Sequence, residues 1–140
     1  MDHPWRQLRD RPDWLLEWDM LPPGLMGSTC HRRRVITLDL RLSQAERRCT
    51  IAHELEHVER GPMPSDPILA AREEESIERA VARRLVTIRA LGDALAWAHT
   101  LDEAAEELWV DVATLEARLR SLHPAEHAYL DRRLSGQDAL

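Results

Sequence analysis

In Ala52-His53-Glu54-Leu55-Glu56-His57-Val58, two histidines stand four residues apart and a glutamate follows the first. Four residues is slightly more than one α-helical turn, so His53 and His57 share a helix face. Two imidazoles on consecutive turns reach one tetrahedral metal, and this H-E-x-x-H spacing is the sequence mark of a zinc peptidase. Glu54 is angled away from both histidines and suits a general base that takes a proton from water at the metal.

The flanking residues make this stretch a helix. Ser43-Gln44-Ala45-Glu46 reads S-x-x-E, a capping box that starts a helix at Ser43. Gly61 followed by Pro62 stops it. The helix is expected from Gln44 to Arg60, with Ile51, Ala52, Leu55 and Val58 as its apolar stripe. A solvated helix that carries two histidines by chance has no need of the cap, the stop and the glutamate together.

Upstream, Pro4 to Asp10 reads as a short helix capped near Asp2 or His3. Trp14, Leu16, Trp18 and Met20 then alternate with Leu15, Glu17 and Asp19, the period of a strand with one buried face. Leu21-Pro22-Pro23-Gly24 is a turn, Leu25 to Cys30 a weaker strand, and His31-Arg32-Arg33-Arg34 an exposed hairpin connection. Val35-Ile36-Thr37-Leu38-Asp39-Leu40 is the best strand by residue type. Short connections predict an antiparallel sheet of about three strands. The fold class is therefore α+β: this sheet packed on the His53 helix and a second long helix, with a helical segment after it. The expected division is residues 1–90 around the metal motif and residues 91–140 as a helical subdomain.

The second helix is expected from about Ile68 to Ala90, because Ile77, Val81, Leu85 and Ile88 recur at spacings of three and four. Glu74 lies three residues before Ile77 and shares that face, with Glu73 beside it and Glu75 pointing outward. A carboxylate on an apolar face needs a partner. A catalytic zinc takes three protein ligands and a water, so this cluster is the natural source of the third.

From Trp14 to Ile88 the chain resembles the ImmA/IrrE family of metallopeptidases. The resemblance rests on Leu42-Ser43-Gln44-Ala45-Glu46-Arg47-Arg48, on Thr50 to His57, and on the glutamate-bearing helix that follows. In such families the ligand glutamate is followed four residues later by Asn or Asp. Glu74 and Glu78 match that spacing, which implies Glu74 as ligand and Glu78 as a partner orienting a histidine; Glu73 or Glu78 as the ligand stays open. The chain departs in having Glu56 between the histidines and Ala80-Val81-Ala82 on the second helix. The resemblance implies a zinc-dependent cytoplasmic peptidase that cuts a helix-turn-helix repressor, releasing a stress, phage or mobile-element programme.

Leu101 to Leu119 has the pattern of a helix-turn-helix, with Trp109 where glycine is common. Thr100 to Leu140 carries four arginines against nine Asp or Glu, a net of −5 that opposes phosphate binding. DNA binding is thus the weaker reading and docking of the protein substrate the stronger, although Arg118, Arg120, Arg132 and Arg133 offer a local basic strip. A non-catalytic regulator that keeps zinc for structure is the rival to the peptidase. His123 and His127 are four apart, but Pro124 suits a first helical position and leaves His123 as a cap, out of line with His127. His3, His31 and His99 stand alone. Tyr129, His31 and Arg79 are unranked candidates for transition-state stabilisation, and Cys49 reads as a small core residue. The whole chain has 140 residues, a net charge of −6 and two cysteines, Cys30 and Cys49, too few for a disulfide framework. No apolar run reaches membrane-spanning length and the N-terminus has no signal-peptide core, so a reducing cytoplasm is expected.

Overall fold

A computed structural model describes residues 3–136. Asp2, one of the two expected caps, and the last four residues of the 91–140 segment lie outside these. The elements are α1 (Pro4–Arg9), β1 (Leu15–Asp19), β2 (Gly27–Cys30), β3 (Val35–Asp39), α2 (Gln44–Arg60), α3 (Pro67–Leu85), α4 (Ile88–Trp97), α5 (Leu101–Leu108), α6 (Val112–Arg120) and α7 (Pro124–Leu134). The class is α+β, and no helix among the described residues is long and apolar enough to cross a membrane.

The sheet has three strands in the order β1-β3-β2. β2 and β3 form the expected antiparallel hairpin, turned by residues 31–34 with Arg34 at φ 55. β1 runs parallel to β3, from Leu15 opposite Val35 to Asp19 opposite Asp39, so the sheet is mixed and not antiparallel throughout. The cause lies in residues 20–26. Pro22 and Pro23 lack N–H groups, and Gly24 takes φ 86. This segment carries the chain past the end of β3 to its other edge instead of folding back on β1. Asp39 pins the crossing: its carboxylate accepts from the Leu21 N–H at 3.1 Å and from Arg41 Nε at 2.9 Å, while Arg41 Nη2 donates to the Leu21 carbonyl. Arg41 holds the Asp39 carboxyl well below the usual carboxylate range.

β3, the most β-prone segment, takes the centre and buries Ile36 and Leu38 completely. β1 is an edge strand, and its alternation buries less than expected. Trp14 and Leu16 pack on the core, whereas Trp18 is 39% and Met20 57% exposed. Trp18 stacks on Trp5 at 6.4 Å and lies under the Arg47 guanidinium.

α2 has the bounds its capping signals predict. Ser43 Oγ accepts from the Glu46 N–H, Glu46 Oε1 accepts from the Ser43 N–H, and Gly61 closes the helix at φ 87. Ile51, Leu55 and Val58 face the sheet. Cys49 and Ala52 face a second cluster that joins Ile77, Val81 and Leu85 of α3 to Leu91, Leu108, Leu115 and Leu130.

α3 ends at Leu85, five residues before the expected Ala90. Val86 turns extended, Thr87 Oγ1 caps α4 through the Ala90 N–H, and the buried Arg118 Nε donates to the Val86 carbonyl at 2.7 Å. Ile88 keeps the apolar phase across this break, which hid it in the sequence. α5 and α6 meet at Trp109, in the left-handed region at φ 57. Arg48, only 2% exposed, supports that uncommon backbone by donating to the Trp109 carbonyl at 2.9 Å and lying over its ring.

Candidate metal centre

One turn of α2 separates His53 from His57, and α3 brings Glu74 across to both. His53 Nε2 lies 2.5 Å from Glu74 Oε1, and His57 Nε2 lies 3.2 Å from Glu74 Oε2. Among the described residues this is the group of three whose donor atoms all fall within 4.8 Å of one another. Ligand bonds of 2.0–2.2 Å at tetrahedral angles set donor atoms about 3.3 Å apart, which the His57–Glu74 distance matches, while His53 and Glu74 stand closer, in direct hydrogen-bond contact. Two imidazoles and one carboxylate are a donor set that a divalent metal such as zinc accepts. The residues present fit the metal.

The neighbouring glutamates are engaged elsewhere. Glu73 accepts from Arg60 Nη1 at 3.0 Å, and Arg60 also holds Glu56. Glu78 is exposed on the pocket wall and bonds to neither histidine among the described residues, so the orienting contact expected of it is not made. One further helical turn carries it about 6 Å along α3 from Glu74.

Glu54 is 5% exposed, on the side of α2 that faces β2. Thr29 Oγ1 lies 3.4 Å from its Oε2 as donor. Burial pushes the Glu54 carboxyl up to about 7; the Glu74 charge adds to this, while His57 and Thr29 oppose it. β2 comes this close because residue 27 is glycine. A Cβ there would meet Thr50 Cγ2 at 2.7 Å and Glu54 Cγ at 3.2 Å. Gly27→Ala is therefore expected to cost about 1–3 kcal/mol by overpacking. The urea unfolding midpoint measures this, and an unchanged midpoint would mean that α2 does not press on β2.

These groups open onto one cavity of about 780 Å³. β2, α2, α3 and the loops around residues 24–26 and 62–63 form part of its wall, and α6 adds Ala113, Thr114, Ala117 and Arg120. Of the three candidates for transition-state stabilisation, His31 lines the cavity, edge-on to Trp14 at 5.6 Å. Tyr129 packs instead near Gly92 of α4, and Arg79 is exposed away from the cavity lining. Cys49 is a core residue as expected: its thiol accepts from the Asp111 N–H, and burial raises it to about 11. His123 and His127 belong to no metal-binding group among the described residues, and the His123 N–H donates to Glu126 Oε1 at the start of α7. The basic strip does not form, because Arg118 is 2% exposed and paired with Glu126, while Arg133 pairs with Asp93.

Sequence reasoning missed Thr29, Gly27 and the α6 wall. A glycine inside a strand signals a close approach, and Gly27 is such a case. Nothing local announces that α6 turns toward the metal group.

Residues 20–120 match the family model of peptidase M78, described as the IrrE N-terminal-like domain. The chain belongs to this family. The M78 match runs beyond Ile88, where the sequence resemblance stops, and takes in α5 and α6. No curated protein and no solved structure gives a significant match. Membership of M78 carries a metallopeptidase-type function acting on protein.

Proposed function

We propose that this chain is a cytoplasmic zinc-dependent endopeptidase that cuts a helix-turn-helix transcriptional repressor in a bacterial or phage regulatory system. The observation that carries the reading is the convergence of His53, His57 and Glu74 above a buried Glu54 at a single cavity. His53, His57 and Glu74 hold the metal. When bound, zinc supplies Lewis acidity toward the scissile carbonyl and lowers the pKa of water. Glu54 is the group placed to accept a proton from the attacking water at its carboxylate and to return it to the leaving amine. Burial keeps its carboxyl basic enough for the task, and Thr29 fixes one of its oxygens. Residues 1–90 supply this chemistry, and residues 91–140 supply substrate contacts.

A free strand edge supports a peptide substrate. β2 lies at the rim of the sheet and lines the cavity, so an extended segment can pair with its backbone. The packing of α6 speaks against DNA as the ligand. A groove-reading helix must stand clear of its own protein, whereas α6 buries Leu115, Ala117 and Arg118 and turns the face carrying Ala113, Thr114 and Arg120 to the cavity.

Two measurements test the proposal. Metal analysis of His53→Ala and Glu74→Ala should show zinc falling from about one per chain toward zero; undiminished zinc in both rejects the ligand set. Incubation of the zinc-loaded chain with the repressor encoded nearby should give one discrete cut that a chelator abolishes. Hydrolysis of other peptides with that repressor left intact rejects the substrate assignment.

A further inference from the structure

One face of α6 is a wall of the cavity that holds the metal group. Ala113, Thr114, Ala117 and Arg120 recur at spacings of one, three and three and line it together. The first three are small and leave room along the wall. The fourth is long and cationic. Arg120 is exposed and forms no hydrogen bond or ion pair among the described residues. The carboxylates that share the lining do not take it. Asp111 caps α6 at the opposite end by accepting from the Thr114 N–H, Glu54 is held by Thr29, and Glu74 faces the two histidines. Glu78 forms no ion pair with it.

The buried and half-buried arginines around α6 are engaged elsewhere. Arg118 and Arg83 both hold Glu126, and Arg48 holds the Trp109 carbonyl. Arg120 thus stands on the cavity wall with its five donors uncommitted among the described residues.

We propose that Arg120 is a specificity-determining residue that binds an Asp or Glu side chain of the peptide seated in this cavity. A carboxylate is the chemistry that a guanidinium reads with two parallel hydrogen bonds. Among the residues that line the cavity Arg120 is the one arginine or lysine. This inference rests on the peptidase reading, but binding alone tests it.

The experiment uses the zinc-loaded full chain and a randomised peptide mixture. Glu54→Gln protein, immobilised, retains peptides from the mixture, and the retained fraction is sequenced. Asp or Glu should be enriched at one position, and the enrichment should vanish in Glu54→Gln/Arg120→Ala. In Glu54→Gln/Arg120→Glu it should invert to Arg or Lys at that position. With Glu54 intact, Arg120→Glu should raise KM for an acidic peptide roughly tenfold or more, with kcat little changed and zinc content the same. If wild type cuts nothing while retention still depends on Arg120, the recognition stands and the peptidase reading falls. The same retention profile with Arg120 and with Glu at position 120 overturns the inference.

Discussion

Glu54→Gln is expected to keep one zinc per chain and the native fold while slowing peptide hydrolysis roughly hundredfold or more. The amide is nearly the size of the carboxylate, and its oxygen still accepts from Thr29 Oγ1, so β2 and α2 keep their approach. What it lacks is a lone pair able to take a proton from water. Stability separates this loss from damage to the fold. The Glu54 carboxyl is raised by burial from 4.5 to about 7, so in the metal-free protein the folded state binds more protons than the unfolded state between those values. Stability from this group therefore falls as pH rises from about 4.5 to about 7, and above that the full cost of a buried charge is present. Glutamine removes that cost. Metal-free Glu54→Gln should melt no lower than wild type at pH 8, and its advantage should shrink toward pH 5. Unchanged hydrolysis of a natural substrate by the zinc-loaded variant would falsify the assignment of Glu54 as base.

The metal helix was legible because everything that makes it a helix is local. The Ser43–Glu46 box and the Gly61-Pro62 stop act within one turn of its ends, and α2 begins and ends where they place it. Glu74 was legible for a different reason: a carboxylate in phase with Ile77 and Val81 must meet something polar, and it meets His53 and His57. Strand pairing was not legible, because the partner of β1 is fixed by Asp39 and Arg41, about twenty residues on. The end of α3 was hidden for the same kind of reason. Val86 leaves the helix with its carbonyl held by Arg118, 32 residues away, while Ile88 restarts the apolar pattern in phase. Counting charges also misplaced arginines. Arg48 and Arg118 add to the net charge of a segment but sit buried inside it, so they hold backbone carbonyls and a carboxylate instead of offering charge to a partner.

Glu126→Ala is expected to destabilise the protein by about 3–5 kcal/mol, because it leaves a buried cation without its counter-ion. Glu126 stands in the first turn of α7 and accepts from two arginines and one backbone group. Arg118 Nη2 reaches its Oε2 at 2.7 Å, Arg83 Nη1 its Oε1 at 2.9 Å, and the His123 N–H its Oε1 at 3.0 Å. Arg83 belongs to α3, Arg118 to α6 and Glu126 to α7, so one carboxylate ties three helices. Without it, the 2%-exposed Arg118 keeps its bond to Val86 but faces Arg83 with no anion between them. The Arg118 contact above all holds the Glu126 carboxyl well below the usual carboxylate range. The sign of the pH dependence follows. The unfolded chain binds a proton at Glu126 near the ordinary value of about 4.3 and the folded chain only at lower pH, so this stabilisation is fully present above the unfolded value and fades as pH falls through the folded one. Urea unfolding of wild type should therefore weaken from about pH 5 downward, and Glu126→Ala should lose that part of the slope. Glu126→Gln, which keeps an acceptor oxygen at the start of α7 but not the charge, should lose the same slope and fall between the two in stability at pH 7. The clamp also carries α6 and α3, and with them Arg120 and Glu74, to opposite walls of one cavity, so Glu126→Ala protein that stays folded at low temperature should bind zinc more weakly. A midpoint within about 0.5 kcal/mol of wild type at pH 7 would show that Arg118 finds another partner and that Glu126 is not the clamp.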